Sequence, residues 1–246
     1  MSRQLFRDLL NNEYSSFKNS CHLSFHQQHV FSHMINCQTE NMGFNTESCP
    51  DCGYTHTHYN SCRDRHCVFC QSVERELWIQ KYKSLLINTQ YFHIVFTVPE
   101  KLNPIFLLNK SLMYNILFNA SSKARLTMAE SDNYGFGKIG LTSILHTWGQ
   151  TLSFHSHVHY IVTGGGISDN CWVLCKKNDF MTVKAKSKVF RSLFLSLLSN
   201  QAKKLILTGD IEYLNNPYDF DNFISSLYNT EWVVYSKKSF EPPSRS

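Results

Sequence analysis

Cysteine placement constrains this chain more than any other feature. Five of its nine cysteines, Cys49, Cys52, Cys62, Cys67 and Cys70, fall within 22 positions of a 246-residue sequence. Two CxxC pairs, Cys49-Pro-Asp-Cys52 and Cys67-Val-Phe-Cys70, stand fourteen residues apart. Each such turn aims two thiolates at one point, and two turns complete a tetrahedral sulfur site for structural zinc. The expected ligands are therefore Cys49, Cys52, Cys67 and Cys70, with zinc replacing a core that so short a segment cannot build. Cys62, His56, His58 and His66 compete for the same role, Cys37 lies upstream, and a second zinc stays open. A secreted disulfide scaffold would be shorter and would follow an export signal; clustered thiols without one point to a reducing cytoplasm.

The remainder has the makings of a packed protein. Hydrophobic residues make up 42% and aromatics 14%, and no continuous apolar stretch could span a membrane. The net charge of +5 permits a nucleic-acid partner without requiring one. Apolar spacing predicts helices over residues 1–45, then a helix over 73–86 with Leu77, Trp78 and Tyr82 inward. YFHIVFTVPE (91–100) reads as a strand, and 104–130 as a helix with Leu107, Leu108, Met113 and Leu117 in the core. A glycine-rich turn (134–140) leads to two strands, the second stopped by Gly164, Gly165 and Gly166. A short strand near 180 and a long amphipathic helix follow, and the tail holds another helix and a strand, EWVVYSKK (231–238). The boundary between modules lies near residues 72–90.

LHTWGQTLSFHSHVHYIVTGGG (145–166) carries the chemistry. His155, His157 and His159 alternate, so on a strand they share one face. Three imidazoles in a row are poor core material, since each needs a polar partner, whereas a divalent metal accounts for all of them.

The pair His157-Val158-His159 is the His-hydrophobic-His (HUH) signature of enzymes that nick single-stranded DNA. Its context extends along the chain: YNSCRDRHCVFCQ, YFHIVFTVPEKLN, the histidine segment, VKAKSKVFRSLFL and WVVYSKKSF stand in the same order in the insertion-sequence 91 family of transposases. The resemblance runs from about residue 15 to 240. It implies an α+β fold: a helical, zinc-binding module (1–88) and an HUH catalytic domain (89–246), an antiparallel sheet flanked by helices. It also implies a divalent cation such as Mg2+ or Mn2+ on His157 and His159, polarising a scissile phosphate for attack by a tyrosine. His146 is the expected third ligand, with His155 and His93 as alternatives; Gln150 and Thr147 are candidates for supporting the site.

The implied partner is DNA, above all single-stranded transposon ends. Arg63 and Arg65, beside the zinc site, and Lys184, Lys188 and Arg191, spaced along one helix, are the candidate phosphate contacts. Phe92, Trp148 and Tyr160 could stack bases, although core packing is the commoner use of each. In the family the WVVY block precedes a helix bearing the nucleophilic tyrosine. Here the sequence reads EPPSRS and stops; Tyr235 matches a strand position, and Tyr218 and Tyr228 fit no better. The expectation is a chain without its nucleophile, able to bind and polarise a phosphate but not to form the covalent intermediate. The alternative is a DNA-binding remnant that recognises element ends; an unrelated metallohydrolase would need a general-base motif such as HExxH, which is missing.

Overall fold

The computed structural model describes residues 2–129, 137–149, 151, 153–175, 182–237 and 240. The residues form two compact units, Met1–Leu86 and Ile87–Ser246. Together they are a mixture of helices and antiparallel sheet. Among the described residues no helix is long and apolar enough to cross a membrane.

The first unit begins with α1 (Arg3–Ser20) and α2 (Phe25–Asn36). Ser2 caps α1 by accepting from the Leu5 amide, and Ser24 and Gln27 form a reciprocal capping box on α2. Phe31 packs against Tyr14 at 5.1 Å between ring centroids, which joins the two helices. The predicted helical run ends before residue 45, because Phe44–Ser48 (β1) pairs antiparallel with Thr55–Tyr59 (β2). Then comes α3 (Cys70–Leu85), three residues earlier in its start than its apolar spacing suggested. Leu77 and Trp78 do not face inward; they are 56% and 42% exposed, and α3 buries no residue. The buried apolar residues of this unit are Leu23, Val30, Cys37, Cys62 and Cys67, so its core is largely sulfur.

The second unit is built on a five-stranded antiparallel sheet in the order β4-β5-β3-β7, with β6 also paired to β5. The strands are β3 (Tyr91–Thr97), β4 (Lys138–Trp148), β5 (Phe154–Ser168), β6 (Cys171–Leu174) and β7 (Val234–Ser236). Along β3, Phe92, Ile94 and Phe96 are fully buried, and along β5 so are Val158, Tyr160 and Val162. These residues share one face, and α5 (Lys110–Ala129) and α6 (Val183–Asn200) cover it. Phe96 meets Phe190 of α6 at 4.9 Å, and the Tyr160 hydroxyl lies 2.8 Å from Ser121 Oγ of α5. The intervening residues, His93, Val95 and Thr97 on β3 and His157 and His159 on β5, face the other side and stay partly exposed. The last helix, α7 (Pro217–Tyr228), adds Phe220, Ile224 and Leu227 to the core.

Two departures from the sequence reading have clear causes. The helical stretch expected over 104–130 is broken at Asn109, between α4 (Asn103–Leu108) and α5. The Asn109 side chain is spent on the backbone of Ile206, donating to its carbonyl at 2.9 Å and accepting from its amide at 2.7 Å. That break turns Leu107 and Leu108 outward and Ile105 and Phe106 inward, while Met113 and Leu117 are buried as expected. The second departure is that Gly164, Gly165 and Gly166 do not end β5, which runs on to Ser168. They let neighbouring backbone come close: a Cβ on Gly165 would lie 2.5 Å from the Val173 carbonyl oxygen. Most of the expected turn over 134–140, and the short strand near 180, lie outside the described residues. Gly165→Ala should push β6 off the sheet edge and cost roughly 1–3 kcal/mol, the usual penalty for an overpacked site. Urea unfolding of the purified protein measures this.

Candidate metal centres

Four thiols converge in the first unit: Cys37, Cys62, Cys67 and Cys70 have sulfurs within 4.8 Å of one another. Cys37 Sγ lies 3.4 Å and Cys62 Sγ 3.6 Å from Cys70 Sγ. A tetrahedral zinc with bonds of about 2.3 Å holds its sulfurs roughly 3.8 Å apart, so the group needs almost no adjustment to fit one. Cys37 follows directly on α2, and Cys70 opens α3. Between them Arg63, in the left-handed region at φ 51°, turns the chain so that the Asp64 amide faces Cys62 Sγ at 3.5 Å. Burial pushes the Cys37 and Cys62 thiols up. Cys70 is also raised by burial, but the thiols of Cys37 and Cys62 pointing at it bring it below its ordinary value. Four sulfurs in one dry place cannot all ionise against each other; a cation removes the conflict.

The expected set, Cys49, Cys52, Cys67 and Cys70, is divided between two places in the unit. Cys67 and Cys70 belong to the cluster, but Cys49 and Cys52 sit at the tip of the β1–β2 hairpin, and Cys37 and Cys62 take their places. A ligand 33 positions upstream of Cys70 has no local signal; only the packing of α2 brings it in. His66 is not in the cluster and instead meets the Asp64 carboxylate at 3.0 Å. Arg63 and Arg65 are exposed beside the sulfurs.

The second constellation lies on the face of the sheet away from α5 and α6. His146 on β4 is directly opposite His157 on β5, and the ligand atoms of His146, His157 and His159 lie within 4.8 Å of one another. A register shift between His146 and Trp148 bulges the strand here. Hydrogen bonds prepare two of the rings. His157 Nδ1 donates to the His155 carbonyl at 2.8 Å, leaving Nε2 with a free lone pair. His159 Nδ1 lies 2.9 Å from His93 Nε2, and His159 Nε2 is buried with no hydrogen-bond partner. His93 thus stands behind His159, outside the group formed by His146, His157 and His159. Its own neighbours are Tyr235, with rings 6.3 Å apart, and the charge of Lys237.

Burial pushes His159 down to about 4, helped by the charges of His146, His157 and His93. Burial also lowers His157 and His93. Neutral rings are the form that ligates metal. Trp148, exposed, stacks on His146 with rings 5.5 Å apart, whereas Phe92 and Tyr160 are core residues. Thr147 lies beside the bulge on β4, and Gln150 is outside the described residues.

The basic stripe on α6 divides. Lys184 and Lys188 are exposed, but Arg191 donates from Nη1 to the Tyr228 carbonyl at 2.7 Å and covers the Tyr228 ring, docking α7. Lys186, between them, is buried and donates to Ser236 Oγ at 3.1 Å, linking α6 to β7.

Two known families match successive parts of the chain. The family described as "Transposase zinc-binding domain" matches residues 9–98, and the one described as "Putative transposase" matches residues 140–246. Together with the relatives that follow, these matches support a transposase of the insertion-sequence 91 family with an N-terminal zinc-binding region. "Putative transposase y4qJ" of Sinorhizobium fredii (strain NBRC 101917 / NGR234) is 39% identical over 90% of this chain and 56% of its own length. "Transposase for insertion sequence element IS801" of Pseudomonas savastanoi pv. phaseolicola is 30% identical over 55% of this chain and 33% of its own length. The chain thus spans between a third and rather more than half of these relatives. No solved structure matches it.

Two outcomes follow from the geometry. Cys70→Ser should lose the cluster's zinc and leave residues 1–86 open to limited proteolysis, while the unit from residue 87 keeps its cooperative unfolding. Metal-free protein should lose stability as the pH falls from about 6.5 towards 4, the interval between the ordinary histidine value and that of buried His159. The sign follows because the unfolded chain takes up a proton there and the folded one does not. Thermal unfolding of wild type and His159→Gln should converge below that interval.

Proposed function

We propose that this chain is the metal- and DNA-binding portion of a transposase that acts in transposition on single-stranded transposon ends, in the manner of HUH enzymes. The observation that carries the reading is the His159 Nε2 atom, buried without a hydrogen-bond partner on a ring that lies 4.3 Å from the His146 ring and 5.0 Å from the His157 ring. An unsatisfied buried polar atom costs about 1–3 kcal/mol, a cost that disappears if its lone pair binds a cation. A divalent ion such as Mg2+ or Mn2+ held by His146, His157 and His159 supplies Lewis-acid polarisation of a phosphate. The protein's residues do the rest. His93 and the His155 carbonyl hold two of the rings in their ligating tautomers. Trp148 offers an exposed aromatic surface beside the site for an unpaired base. Arg63, Arg65, Lys184 and Lys188, all exposed, are the residues assigned to phosphate contact in this reading, while Arg191 serves first to dock α7.

A covalent strand transfer also needs a nucleophile. Tyr235 shares the histidines' face of the sheet, but its place on β7, paired with Val95, ties it to the strand. We assign this chain binding without a phosphotyrosine link, in a cytoplasmic setting where its DNA is found. Fluorescence anisotropy with hairpin-forming single strands should show binding that weakens with salt. His157→Ala should abolish Mn2+ binding to the sheet, and His93→Ala should weaken it roughly 10–100-fold, as loss of a ligand's supporting hydrogen bond does. His93→Gln, which keeps an acceptor, should retain most of the affinity. Denaturing gels should show no protein–DNA adduct; one that vanished in Tyr235→Phe would overturn the assignment.

A further inference from the structure

β7 brings two side chains to the histidines' face of the sheet. Val234 is buried in the core, and Ser236 Oγ accepts from Lys186 of α6, so both point towards the helices. Side chains alternate along a strand, so Tyr235 and Lys237 point the other way. The Lys237 amide donates to the His93 carbonyl at 2.9 Å, which carries the ladder one residue past β7 and sets Lys237 beside His93. Burial and, after it, the charge of Lys237 hold His93 below the ordinary histidine range. The Tyr235 ring meets the same imidazole edge-on, with centroids 6.3 Å apart.

The register fixes how far these residues are from the histidine cluster. Tyr235 is opposite Val95, and Val95 is opposite His159. β7 is therefore two strand spacings from β5, about 10 Å. That is too far for Lys237 to share an atom with the three histidines, and near enough to serve the next nucleotide of a strand lying across the sheet.

Charge on this face is one-sided. None of the strands β3 to β7 carries an aspartate or a glutamate. Among the described residues no carboxylate forms an ion pair with Lys237. Three imidazoles suited to a cation and a lysine on the same face call for anionic charge, which the sheet does not supply. Tyr235 is 53% exposed and Lys237 is exposed, so both are open to a ligand. A cation beside an exposed ring suits single-stranded nucleic acid, the cation taking the backbone and the ring stacking a base. The opposite edge of the sheet has a ring of its own, Trp148 of β4, stacked on His146.

On the reading that single-stranded DNA lies on this face, we propose that Tyr235 and Lys237 form a nucleotide subsite next to the histidine cluster. Lys237 holds the phosphate adjoining the one at His146, His157 and His159, and Tyr235 stacks the base of that nucleotide. The DNA strand then crosses the sheet from Trp148 on β4 to β7.

Fluorescence anisotropy of a labelled oligothymidylate with the full chain, over a series of salt concentrations, tests the subsite. Lys237→Gln should weaken binding and reduce the slope of log affinity against log salt by about 0.7, the share of one phosphate on a single strand. Lys237→Arg should restore both. Tyr235→Leu should weaken binding roughly 5–100-fold, the range of one base–ring stack, with the slope unchanged, and Tyr235→Phe should bind as wild type does. An unchanged slope in Lys237→Gln would leave Lys237 as a charge guarding an edge strand and would overturn the subsite, as would wild-type affinity in Tyr235→Leu. Failure of the wild type itself to bind the probe would remove the single-strand reading and the subsite with it.

Discussion

A single sheet has two faces, and most of the second unit follows from which of them α5 and α6 cover. Phe92, Ile94, Phe96, Val158, Tyr160 and Val162 point towards α5 and α6 and are removed from water. Because side chains alternate, the residues between them are committed to the opposite face wherever their chemistry might prefer to be. A one-residue slip of β5 against β3 would bury His157 and His159 and expose Val158 and Tyr160. The apolar core therefore sets the register, and the register sets the histidines. The polar cluster is bought with no packing of its own, since the helices on the far side supply the stability.

The first unit solves a different problem. Its helices and hairpin bury few apolar side chains, and α3 shows none to the interior. Sulfur takes the place of a core, with Met34, Met42 and Phe69 packed around the thiols. A metal-organised unit of this kind gains its folding energy from ligation, which makes the positions of its cysteines more constraining than its hydrophobic pattern. That explains why apolar periodicity, which reads the strands of the sheet well, misplaced the inward side of α3.

Legibility followed the range of the interaction. β3 and β5 were readable because β-branched and aromatic runs with alternation need only neighbouring residues to be recognised. The break at Asn109 was not, because nothing near it says that its amide will be engaged by Ile206, 97 positions away. The glycines of β5 were read as a stop because a turn and a close backbone approach both call for glycine, and only the approach of Gln90 and Val173 distinguishes them. Arg191 looked like one member of a basic stripe until α7 supplied the Tyr228 carbonyl.

The same division runs through the cysteine and histidine clusters. Sequence alone determined that His157 and His159 share a face, since a strand's two-residue period requires it, and that paired CxxC turns would present thiolates. The rest belonged to tertiary structure. His146 became a neighbour of His157 through the pairing of β4 with β5 and the bulge beside it, and His93 arrived behind His159 on a third strand. Which cysteines meet was decided by the packing of α2, which carries Cys37 to Cys70 and leaves Cys49 and Cys52 on their hairpin. Spacing along a chain reports which donors can form a turn together; which turns then meet depends on how the chain closes its long loops, and that information is not local.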